Sequence, residues 1–194
     1  HEAEAYWFTE GVTRHLARDL LFRYGLISAA ETAAEVEGLA SLLATSPLAR
    51  LSNTELGKKP TAAVPFLIAR GALYAMRVNA LLREKSKNKR SLDNVLRELY
   101  ARAAEQKAAA LPVTAWTDAL VKDLGEGERA AFVNAIDLGK PFELPDTALG
   151  PCFRKVTRSY VGFDIGFDEE ATRRSKPQKL VGLIPGGPAD KAGV

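Results

Sequence analysis

The chain has 194 residues, with 27 Lys and Arg against 24 Asp and Glu, a formal charge of +3 and 46% hydrophobic residues. That length supports one full domain, or one domain and a small second one, able to bury roughly 70% of its surface without disulfides or structural metal. The thin basic excess makes no case for nucleic acid or a membrane surface, the single cysteine, Cys152, excludes an internal disulfide framework and a multi-Cys zinc site, and no apolar run reaches the ~18 residues of a spanning helix.

The predicted elements begin with a helix over Trp7–Tyr24, where Phe8, Val12, Leu16 and Leu20 recur every four residues and Gly25 closes the run. Ser28 and Glu31 form a capping-box pair opening a second helix that carries Val36, Leu39, Leu42 and Leu43 and stops before Pro47. Residues Pro47 to Pro60 read as loop. A third helix over Ala62–Lys85 is nearly apolar through Val64–Ala80, the pattern of a helix central to a core. Ser91 marks a fourth helix with Leu92, Val95, Leu96 and Leu99, and Thr114 a fifth with Trp116, Leu120 and Leu124. A sixth carries Phe132 and Ile136 and closes at Gly139. After Gly150 the texture changes: Tyr160–Phe167 and Leu180–Ile184 read as strands around a charged stretch, Asp168 to Lys179. A short helix is predicted at Ala189–Gly193. The expected organisation is therefore mainly α, a helical domain over 1–150 followed by a small β-rich segment over 151–194. No signal peptide is visible, and both ends read as boundaries within a longer parent, with His1–Ala5 a tag or linker remnant.

Several segments, in order, carry a resemblance. Trp7-Phe8-Thr9-Glu10-Gly11-Val12-Thr13 and the following Leu20–Ile27 resemble a segment of the glycyl aminopeptidase family, gluzincin zinc metallopeptidases with a C-terminal PDZ domain. Arg70-Gly71-Ala72-Leu73 and Ser91–Tyr100 resemble later stretches of it, and Gly182–Val194 is similar to a Pro-Gly-Gly-Pro element of a bacterial PDZ domain. The resemblance implies that residues 1–150 are the helical C-terminal half of a gluzincin catalytic domain and 151–194 the first half of a truncated PDZ domain. It implies Glu10 as the third zinc ligand, the other two being histidines of an HExxH helix. A catalytic zinc needs three protein ligands and an open position for water, whose pKa it lowers.

This sequence departs from that pattern. It contains no HExxH, and His15 lies five residues after Glu10, roughly 140° around a helix, so the two should not converge on one ion. Ile68 stands where the family has the tyrosine that donates to the oxyanion, and losing such a donor typically costs about 10²–10³ in turnover. Tyr74, further along the same helix, could substitute only with shifted geometry. Glu10 read on residues alone is a first-turn glutamate favoured by the helix dipole or paired with Arg14.

Two functions from different classes follow from the resemblance. One is a piece of a zinc-dependent aminopeptidase-like protein, cleaving N-terminal residues from peptides in the parent and inactive in this chain, with zinc in the parent and none bound here. The other is a non-catalytic homologue acting as a peptide-binding or scaffold protein through its PDZ domain, where Gly162 and Phe163 would lie in the loop that takes a peptide's terminal carboxylate. The incomplete sheet would leave an edge open to self-association. The family resemblance also implies an extracytoplasmic, bacterial location.

Overall fold

A computed structural model describes residues 5–157, 159, 165–177 and 179–194. By internal contacts the chain divides into two compact units, His1–Lys155 and Val156–Val194.

The larger unit is helical. Its first segment, Trp7–Val12, is π-helical and runs without a break into α1 (Thr13–Arg23). Leu26 N–H donates to the Leu21 carbonyl (2.8 Å) past Gly25 at φ +67, the left-handed stop that a glycine takes without strain. Helix α2 (Ala29–Thr45) opens on the full capping box, the Ser28 hydroxyl accepting from Glu31 N–H (3.2 Å) while the Glu31 carboxylate accepts from Ser28 N–H (2.8 Å). The stretch read as loop after Pro47 instead holds a 3₁₀ turn, Pro47–Arg50, and a short helix α3 (Asn53–Gly57). Ser52 and Glu55 build a second capping box there with nearly the same distances.

Helix α4 (Pro60–Lys85) is the axle. Its Ala69, Ala72, Leu73 and Met76 meet Val36 and Leu39 of α2, while Ala63, Phe66 and Leu67 meet Ala49 and Leu56. Tyr74, Val78 and Leu82 join a third cluster with α5 (Leu92–Glu105), α6 (Val113–Leu124) and α7 (Gly127–Phe132). A helix touched on every side has no solvent face to keep polar, which is why its middle reads as one apolar run. In the third cluster Trp7 sits edge-to-face against Phe8, Trp116 and Phe132, with ring centroids 5.5, 5.7 and 5.1 Å apart. Helix α6 starts one residue before the predicted Thr114, with Pro112 as its N-cap. After α7 the chain takes a second π-helical turn, Val133–Asp137, and closes near Gly139 at φ +65.

The smaller unit corrects the prediction. Among its described residues there is no strand, so the expected β-rich, PDZ-like segment over 151–194 is not present there, and with it goes the sheet edge proposed for self-association. Residues 160–164 of the first predicted strand lie outside the described residues. The second, Leu180–Ile184, makes only a broken pairing. Asp168 N–H donates to the Val181 carbonyl (2.9 Å) and Ile184 N–H to the Gly166 carbonyl (2.8 Å). One side thus advances a residue further than the other between the two bonds, and Gly182 turns to φ +69 in the gap, so no regular ladder propagates. The charged stretch folds into α8 (Glu169–Arg174), capped by the Asp168 carboxylate accepting from Ala171 N–H (2.9 Å), and α9 (Pro188–Ala192) follows the Pro-Gly-Gly-Pro turn. Among the described residues no helix is long and apolar enough to cross a membrane.

Candidate functional site

The segment Trp7–Val12 and helix α4 meet at backbone distance, and glycine makes this possible. A Cβ placed on Gly71 would lie 1.8 Å from the Trp7 carbonyl oxygen, and one on Gly11 would lie 2.7 Å from Gly71 Cα and 2.9 Å from the Ile68 carbonyl oxygen. The π-helical turn belongs to the same junction, a form that occurs mostly as single turns and often at functional positions.

Glu10, next to Gly11, is exposed and forms no ion pair among the described residues. The residue-level expectation of an Arg14 partner is not met: Arg14 Nε donates instead to Glu35 Oε1 of α2 (2.7 Å). Ile68 is half-buried on α4, with its carbonyl against Gly11. Thus Glu10 and Ile68, the two positions singled out by the resemblance, lie on elements in direct contact. Gly162 and Phe163 lie outside the described residues, as do His1 to Glu4. Cys152 is an exposed, free thiol.

His15 is brought nowhere near a metal-binding role. It is buried, and Arg18 Nη2 donates to its Nδ1 at 2.7 Å. Because guanidinium only donates, the ring must carry its proton on Nε2. Burial, followed by the positive Arg18, Arg83 and Arg23, pushes its pKa down to about 3, so the ring is neutral at physiological pH. Among the described residues no group of three His, Cys, Asp or Glu side chains is placed to hold a metal ion. Glu10 offers one carboxylate and no described neighbour completes a tripod, so the described residues do not fit a catalytic zinc by themselves.

Two buried polar clusters tie α4 to its other neighbours. Arg70, next to Gly71, is fully buried, and its guanidinium donates to the carbonyls of Ile136 (3.0 Å), Leu51 (2.8 Å) and Ala49 (3.3 Å). Those carbonyls stand at or beside the ends of the Pro47–Arg50 and Val133–Asp137 turns, where the backbone runs out of helical donors. One fork therefore ties both turns to α4. Further along, the buried Tyr74 hydroxyl donates to Glu128 Oε1 (2.7 Å), which also accepts from Arg77 Nη1 (2.7 Å). Burial and then the Glu128 carboxylate raise the Tyr74 pKa. The Trp116 indole N–H lies beside this hydroxyl but outside hydrogen-bond geometry. Tyr74 is committed to Glu128 and does not replace the tyrosine missing at Ile68.

Sequence reading missed Arg18, Arg77 and Glu128. Arg18 had a local signal, lying three residues after His15 on one helical face. Glu128 had none, since its partners are about fifty residues away. No protein-family model matches this sequence, and no curated protein matches it significantly.

Proposed function

We propose that this chain is part of a zinc-dependent aminopeptidase-like protein, with Glu10 as one metal-ligating carboxylate and the helical unit as its support. One observation carries the reading. The two resembling segments, around Glu10-Gly11 and Arg70-Gly71, meet at backbone contact while Glu10 stays exposed and without an ion-pair partner among the described residues. A carboxylate held on a glycine-locked turn is preorganised yet uncommitted, which is what a ligand awaiting its metal requires. The neutral, buried His15 and the committed Tyr74 take no part in it.

The described residues supply one ligand of three, so no hydrolytic step is assigned to this chain alone. The test is peptidase activity on aminoacyl anilides in the longest natural polypeptide that carries this chain. Glu10→Gln should abolish release there, and the 194-residue chain alone should release nothing. Full activity in Glu10→Gln would overturn the assignment.

A further inference from the structure

A cleft of the helical unit lies away from Glu10, between α1, α4 and the segment 146–153, with a volume of about 440 Å³. Its wall includes His15, Arg18, Phe22, Arg83, Leu149 and Phe153. Arg18 is 4% exposed, and its Nη1 has no hydrogen-bond partner. Its Nη2 is spent on a neutral imidazole rather than on a charge. The carboxylates near enough to feel it are engaged elsewhere, Glu35 with Arg14 (2.7 Å) and Asp19 with Arg23 (2.7 Å). Arg83, on the same wall, makes no ion pair among the described residues. A buried guanidinium without a carboxylate is costly unless something else neutralises it.

We propose that this cleft binds a small organic carboxylate, its head on Arg18 and Arg83 and its apolar body between Phe22, Phe153 and Leu149. The volume lies in the range of small-molecule sites. The planar fork of arginine suits a carboxylate. Three acids also line the cleft, Asp19, Glu84 and Asp146. They disfavour a doubly charged phosphate more than a singly charged carboxylate, and the aromatic wall gives phosphate nothing to pack against.

The probe is 4-phenylbutyrate, titrated into the 194-residue chain by calorimetry and by NMR, beside its uncharged isostere 4-phenylbutanamide and inorganic phosphate. The expected result is carboxylate binding with a Kd below ~1 mM, at least about tenfold tighter than the amide, the ratio that one charge-assisted contact commands. Phosphate should bind more weakly than the carboxylate. Arg18→Met should lose about tenfold or more in affinity; it removes a buried unpaired charge but also the donor to His15 Nδ1, so a urea melt of the variant accompanies the titration. Arg83→Gln, at a half-buried position, gives an independent loss should Arg18→Met fail to fold. Equal affinity for acid and amide, tighter binding of phosphate, no binding of the acid at ~10 mM, or unchanged affinity in both variants would overturn the proposal.

Discussion

Replacing Gly71 by alanine tests the junction most sharply, because two effects oppose each other and the structure decides between them. Alanine in a helix interior normally gains about 1 kcal/mol over glycine. Gly38, in α2, would show that gain, since nothing lies within 4 Å of a Cβ built there. At Gly71 the new Cβ would sit 1.8 Å from the Trp7 carbonyl oxygen and 2.6 Å from its carbonyl carbon. Both obstacles are backbone, so no rotamer relieves them. Restoring a 3.4 Å contact requires the Trp7 segment to retreat by about 1.6 Å. A gap of even 0.5–1 Å forfeits a quarter to a half of each dispersion contact, and here the ring of Trp7 would lift from Trp116 and Phe132. Overpacking of this kind costs about 1–3 kcal/mol, occasionally more, and we take the upper end because the clash is backbone to backbone. Net of the helical gain, Gly71→Ala should lose about 2 kcal/mol, a fall of roughly 1 M in the urea midpoint at an m-value near 2 kcal/mol/M. Gly38→Ala should raise the midpoint by roughly 0.3–0.5 M. A midpoint for Gly71→Ala at or above wild type would refute the close approach and the placement of Glu10 that depends on it.

Other outcomes follow from the buried polar groups. His15 has a folded pKa of about 3 against an ordinary value of 6.5, so the unfolded chain takes up the proton first as pH falls. Its contribution is complete above 6.5 and is lost between 6.5 and 3, by up to about 1.4 kcal/mol per pH unit. His15→Gln should flatten that acid limb in urea melts collected against pH, and an unchanged slope would argue against the buried neutral ring. Arg70→Met strands three carbonyls and should cost about 3 kcal/mol or more by denaturant melts, and Arg70→Lys should recover less than half of it, since one ammonium cannot span the fork. Tyr74→Phe should cost about 1 kcal/mol, because Glu128 keeps Arg77, whereas Glu128→Leu should cost more by leaving both the Tyr74 hydroxyl and the Arg77 guanidinium without it.

The helical unit was largely legible because its signals are local. Ser28 with Glu31, Gly25 after α1 and the apolar run of α4 each act within a few residues of their effect. The same pair logic holds at Ser52 and Glu55, but Pro47, Pro60 and two lysines give the stretch around them the composition of a loop, which hides α3. In the second unit, β-branched and aromatic residues suggested strands, but a sheet is decided by register between distant segments, and Gly166 and Gly182 at positive φ break that register. The charged stretch became α8 through a single capping carboxylate, Asp168, that the composition hid. Of the candidate site, the contact between Gly11 and Gly71 was invisible in sequence, as was the commitment of Tyr74 to a carboxylate on another helix.

Zinc content bears most directly on the central claim that Glu10 is a metal-ligating carboxylate. The longest natural polypeptide carrying this chain should purify with about one zinc per molecule, and its Glu10→Gln variant, with an unchanged circular dichroism spectrum, should retain almost none. Equal zinc in both proteins, or none in either after zinc is supplied, would contradict the account.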